Sequence, residues 1–158
     1  MLRADIICTM AAAQTSEWTA QTLASLRGGG YRNGVARRAV VELLGRQDCC
    51  LTAQDIFDRL RGEGRQVGIA SIYRVLDLLT DKGLLQRIDV GAGTARFEPV
   101  LASGEHHHHL VCEDCGTVEA FADDELERAL HKVEGRTGYS IVGHDVVLRG
   151  ACRDCSAK

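Results

Sequence analysis

Three observations predict an α+β chain: a winged helix-turn-helix domain at the N-terminal side and a small α/β domain after it. Four short stretches before residue 83 repeat apolar residues at helical spacing, and two β-like runs follow them across a glycine-rich turn. Two Cys-x-x-Cys pairs then lie in the last third of the chain. The 158 residues suffice for one domain or two small ones, with 45% apolar and 26% charged side chains. No run approaches the ~20 apolar residues of a membrane span, so membrane and fibrous classes are excluded.

Residues 1–15 are expected to form a flexible extension. Asp5 interrupts the apolar run from Met1 to Ala13 and leaves it too short for an export signal, and Met10 offers a second start. The expected compartment is therefore the cytoplasm, where cysteines stay reduced and cysteines at metal spacing point to metal rather than disulfides.

The winged-helix domain is expected over residues 16–99. Trp18 to Arg27 is short and amphipathic, and Gly28-Gly29-Gly30 and Asn33-Gly34 separate it from Val35 to Leu44, where Ala36, Val40, Leu43 and Leu44 recur. Thr52 to Arg61 opens with Thr52 and Asp55 three residues apart, close to a capping box, and sets Ile56 and Leu60 on one face. A fourth helix runs from Gly68 to Asp81. Its Ile72, Val75, Leu76 and Leu79 follow the i, i+3, i+4, i+7 rule, which turns Ala70, Arg74 and Asp77 outward with Ser71 and Tyr73 on the flanks. Leu84 to Val90 and Thr94 to Glu98, joined by Gly91-Ala92-Gly93, read as a hairpin that Pro99 ends.

Residues 100–105 form a hinge, and the second domain spans 106–158. His108 to Cys112 and Thr117 to Phe121 read as strands around a Cys-Glu-Asp-Cys-Gly turn. Asp123 to Glu134 reads as a helix with Leu126, Leu130 and Val133 on its core face, and Tyr139 to Leu148 as a last strand.

Cys112-x-x-Cys115 and Cys152-x-x-Cys155 have the gap that lets two thiolates reach one tetrahedral zinc ion at ~2.3 Å. One ion shared by both pairs would pin the end of the chain to the first hairpin of the second domain and add its binding energy to folding. His106-His107-His108-His109 leads into that site. In an extended segment alternate side chains share a face, so His107 and His109 point one way and His106 and His108 the other. One run could serve two metal sites, with Glu98, Glu127 and His144 as candidate partners. Cys49-Cys50 precedes the third helix; it is either a pair of buried or spare thiols, or one of them reaches a metal held by the second domain.

The block Arg96-Phe97-Glu98, the run from His106 to Gly116, and Gly143-His144 eight residues before Cys152 resemble the ferric uptake regulator family in motif, spacing and order. The segment from Ile69 to Leu76 is similar to that family's recognition helix. The resemblance implies a homodimeric, metal-dependent transcription factor, a repressor that binds an A·T-rich palindromic operator in double-stranded DNA. It also implies that the second domain is the dimerisation domain. Cys112, Cys115, Cys152 and Cys155 would form a structural Zn2+ site. Glu98, His107 and His109 resemble the sensing site for Fe2+ or Zn2+, with Cys50 where many relatives have the completing histidine. His106, His108, Glu127 and His144 resemble an additional metal site. Tyr73 would touch bases, Arg74 would hold phosphate, and Arg32 and Arg37 would hold backbone or minor groove.

Two departures stand out. Gly34-Val35-Ala36-Arg37 replaces the family's Thr-x-x-Arg, which keeps Arg37 but loses the helix cap, and Cys50 replaces a histidine. Thiolate is softer than imidazole and favours zinc, yet Pro99 to Glu105 lacks the hinge cysteine of many zinc-sensing relatives, so iron and zinc stay level. Ala120 beside Glu119, where peroxide-sensing relatives carry an aspartate, counts against peroxide sensing.

A net charge of −3 argues against binding DNA by bulk charge, but residues 1–99 carry 13 basic and 11 acidic side chains and residues 100–158 carry 6 and 11. Arg27, Arg32, Arg37, Arg38 and Arg46 face Glu42 alone over residues 27–46, a local basic stretch. The rival readings are a metal-storage or metallochaperone protein and a zinc hydrolase. The outward Tyr73 and Arg74 and the hairpin count against the first. The lack of an H-E-x-x-H helix counts against the second, so no small-molecule substrate is expected.

Overall fold

The computed structural model describes residues 17–32, 34–47, 49–89, 93–101 and 107–157. Expectations for residues 1–15, for Asn33, for Gly91 and Ala92 of the hairpin turn, for most of the hinge and for His106 lie outside the described residues. The chain divides into two compact units, Met1–Glu105 and His106–Lys158.

In the first unit, α1 covers residues 17–28, followed by α2 (Val35–Leu44), β1 (Leu51–Thr52), α3 (Ala53–Gly62), α4 (Ile69–Asp81), β2 (Leu85–Asp89) and β3 (Ala95–Pro99). The helices pack through the apolar stripes that their periodicity predicts. Val40, Leu44, Ile56, Leu60, Ile72, Leu76 and Leu79 are fully buried in one cluster with Trp18. The Trp18 indole N–H donates to the Leu84 carbonyl at 3.2 Å, which satisfies the ring's polar edge within that core.

The capping box is present: the Asp55 amide donates to Thr52 Oγ1 at 3.0 Å and the Thr52 amide donates to Asp55 Oδ2 at 2.9 Å. By contrast α2 and α4 start at Gly34 and Gly68 with no side-chain cap, so packing rather than capping holds their first turns. The antiparallel hairpin pairs Arg87 with Phe97, and the sheet order is β1-β3-β2. Strand β1 is absent from the sequence reading because two residues are too few to show a period.

The second unit contains β4 (His108–Cys112), β5 (Val118–Phe121), α5 (Asp124–Thr137), β6 (Val147–Gly150) and α6 (Arg153–Ser156). Its sheet order is β5-β4-β6, with β5 antiparallel and β6 parallel to β4. Asp123 caps α5 by accepting from the Glu125 and Leu126 amides at 2.8 Å, and Gly138 ends it at φ 71°, a conformation that favours glycine.

Two expectations need correction. The strand expected over Tyr139 to Leu148 is confined to Val147–Gly150, and residues 138–146 carry no regular structure. A β-branched run becomes a strand only beside a partner, and β4 pairs with this segment only from Val147 onward. Leu126, Leu130 and Val133 do share a face of α5, but that face is only half-buried and no residue of the helix is buried. Three short strands give it too little apolar surface to cover.

Candidate metal centres

The four cysteines converge because β6 runs parallel to β4. Cys112 closes β4, Cys115 follows in the turn, and pairing of Cys112 with Gly150 brings Cys152 and Cys155, at the start of α6, alongside. All four Sγ atoms lie within 4.8 Å of one another, and Cys115 and Cys152 are 3.8 Å apart. Two sulfurs bound at ~2.3 Å around a tetrahedral ion sit ~3.8 Å apart, so the set fits zinc without rearrangement.

Its electrostatics also suit a cation. The Cys152 amide donates to Cys112 Sγ at 3.2 Å, and this bond with the Cys115 amide lowers the Cys112 thiol to about 6. The Thr117 hydroxyl, 3.2 Å from Cys115 Sγ, holds that thiol below its ordinary value. Cys155, crowded first by Cys152 and then by Cys115, is pushed up to about 12. Four thiolates this close repel one another unless a dication sits among them.

The alternation of the histidine run is realised at β4. The His107 and His109 rings share one face with centroids 5.0 Å apart. His108 points to the other face, where it is buried against Phe121 at 5.4 Å. There His108 Nε2 lies 2.6 Å from Glu127 Oε1, and His144 Nε2 lies 3.3 Å from the same carboxylate. One ligand atom from each of the three comes within 4.8 Å of the others, a nitrogen-nitrogen-oxygen set suited to a divalent metal. His144 reaches it from the irregular segment before β6 rather than from the expected strand. The fourth expected member, His106, lies outside the described residues.

In the first unit the β1–β3 register sets Leu51 against Phe97, and Cys50, just before β1, feels the charge of Glu98, just after Phe97. Sequence periodicity gave no sign of this neighbourhood because β1 is too short to show one; only the family resemblance grouped Cys50 with Glu98. The Cys50 thiol is pushed up, first by the adjacent Cys49 thiol, then by burial and the Glu98 charge. The Gln86 amide donates to Glu98 Oε1 from β2. Arg96, 3.8 Å from Asp55, also donates to the Cys50 carbonyl at 3.5 Å and steadies the start of β1.

On α4, Tyr73 is 51% exposed and Arg74 is exposed with a hydrogen bond to Ser71 Oγ at 3.2 Å, so both project away from the core. Arg32 is exposed. Arg37 is more engaged: it donates to the Arg32 carbonyl and its guanidinium sits 5.5 Å from the Tyr31 ring centroid.

A model of the ferric uptake regulator family matches residues 28–149. The chain belongs to this family. It is 42% identical over 108 residues to the ferric uptake regulation protein of Neisseria meningitidis serogroup A, covering 68% of this chain and 74% of that one. The crystal structure of the Vibrio cholerae ferric uptake regulator is similar with a TM-score of 0.73 at 30% identity, covering 81% of this chain and 97% of that chain. The Helicobacter pylori ferric uptake regulator, described as having three functional metal binding sites, is similar with a TM-score of 0.76 at 26% identity, covering 90% of this chain and 93% of that chain.

Proposed function

We propose that this member of the ferric uptake regulator family is a metal-responsive, DNA-binding transcriptional repressor of metal-uptake genes, acting as a cytoplasmic homodimer. The observation that carries the reading is that one chain has an exposed Tyr73 and Arg74 on a winged-helix unit and converging metal donors on a second unit. A storage protein has no use for the first feature. An enzyme of this family is not expected either, since its members are regulators.

Cys112, Cys115, Cys152 and Cys155 would hold a structural zinc ion, and His108, Glu127 and His144, with His106, an additional metal. Glu98 and Cys50 of the first unit and His107 and His109 of the second would supply the sensing ligands. A divalent ion bound there supplies a link between groups carried on different units. On ligation the four donors would lose their freedom, and the winged-helix units of a dimer would be held at a spacing that suits two half-sites. Tyr73 reads bases or thymine methyl groups, Arg74 grips phosphate, and Arg32 and Arg37 lie beside the backbone of an A·T-rich palindrome.

The test is a gel-shift titration of the zinc-loaded, otherwise metal-stripped protein on A·T-rich palindromic DNA with buffered Fe2+, Zn2+, Mn2+ and Ni2+. DNA affinity is expected to rise with at least one of them, and an affinity indifferent to all four would overturn the reading.

A further inference from the structure

The vicinal cysteines before α3 are arranged as a chelate. In an extended chain neighbouring side chains leave opposite faces, yet the bend at residue 49 turns Cys49 and Cys50 toward each other, with their Sγ atoms 3.8 Å apart. That is the separation of Cys115 and Cys152 in the four-cysteine centre, and the separation of two sulfurs held at ~2.3 Å by one tetrahedral ion. Glu98 of β3 lies near enough for its charge to act on Cys50, and Cys49 is only half-buried, which leaves a way in for a cation.

We propose that Cys49 and Cys50 together chelate one thiophilic divalent cation, so that the sensing site contains two thiolates rather than one. The inference deepens the regulator reading, on which its role in sensing rests, by assigning the class of metal sensed. Two S–H bonds break, two protons pass to solvent, and two metal–sulfur bonds form, with no change of oxidation state. Sulfur donors favour zinc-like cations, whereas carboxylate and imidazole donors also suit iron and manganese. Cys49 is then a specificity-determining ligand that a single-ligand comparison with histidine-bearing relatives overlooks.

The experiment uses the full-length protein in which Cys8, the one cysteine outside the pair and the four-cysteine centre, is replaced (Cys8→Ser), with zinc in that centre, titrated without oxygen with Co2+ in the presence of a phosphine reductant. Zinc content is measured on the same samples, so that a sulfur-to-cobalt charge-transfer band reports on residues 49 and 50 only. The band is expected to lose about half its intensity in Cys49→Ser or Cys49→Ala and in Cys50→Ser, in proportion to the sulfurs removed, and to vanish in the double variant. An unchanged band in both Cys49 variants, or cobalt binding with no sulfur band, would overturn the proposal. Gel shifts on the same samples separate the two ideas. DNA binding blind to Co2+, Fe2+, Zn2+, Mn2+ and Ni2+ alike with the band intact removes the regulator reading and leaves the chelate standing; metal-responsive DNA binding without the band does the reverse.

Discussion

Thr52, Tyr73 and Arg74 show how far single residues can be read from local rules. Thr52 and Asp55 sit at the spacing of a capping box, and both reciprocal hydrogen bonds form. Thr52→Ala is expected to cost about 1 kcal/mol in denaturant unfolding. Tyr73 and Arg74 follow from the apolar stripe of α4, since whatever does not face the core faces out. Tyr73→Ala should weaken operator binding by about 1–3 kcal/mol and blur sequence preference, whereas Arg74→Ala should weaken all sequences alike and lower the salt slope by about 1. If the Tyr73 variant lost affinity for random and operator DNA equally, base contact by Tyr73 would be ruled out. Cys50 is the opposite case: its nearness to Glu98 depends on a ladder between residues far apart in sequence.

At the scale of elements, α2 is tied to the turn after α3 by charge as well as by packing. Glu42 bonds Arg38 at 2.7 Å and Arg65 at 2.8 Å, and Arg46 bonds Glu63 at 2.9 Å. Arg38 and then Arg65 hold the Glu42 carboxyl below its ordinary range. A carboxyl depressed in the folded state stabilises it above that range, and the contribution is lost as pH falls through the depressed value. Glu42→Gln is expected to cost up to ~1 kcal/mol at neutral pH, the discount reflecting solvent screening, and nothing in strong acid, as thermal unfolding at both pH values will show. Sequence missed the two-residue β1 in the first unit, and the elements whose extent or burial it misjudged are in the second. The period of α5 was right but its burial was not, because a helix stripe states which residues share a face and not how much surface waits to cover it.

The whole molecule joins two units that bury very different numbers of apolar side chains. Most of the buried apolar side chains belong to the first unit, whereas Cys112 is the one buried apolar residue of the second among the described residues. The second unit is therefore expected to draw part of its stability from bound metal. Removing zinc with a strong chelator is expected to abolish its folded signal while the helical unit still unfolds cooperatively, which calorimetry would register as the loss of one transition. Proton competition sets the pH course. Near neutrality Cys112, lowered to about 6, is largely ionised, whereas Cys155, pushed up to about 12, has to release a proton when metal binds. Zinc affinity should therefore rise with pH around 7 and fall more steeply below about 6, where Cys112 must also be deprotonated. A chelator-competition titration that found affinity independent of pH would contradict this. No helix among the described residues is long and apolar enough to cross a membrane.

By itself the sequence determined what local chemistry and periodicity carry: the helix stripes, the Thr52 cap, the cysteine spacing, and the alternation that sends His107 and His109 one way and His108 the other. These depend on neighbours within a few residues, where backbone geometry leaves little choice. Tertiary structure alone decided that the parallel β4–β6 pairing brings Cys152 and Cys155 to Cys112, that His144 reaches Glu127 from an irregular segment, and that Cys49 turns toward Cys50 beside Glu98. Each is a meeting of groups distant along the chain or a bend between adjacent ones. Such meetings are selected by the packing of whole elements, which no short stretch of sequence contains.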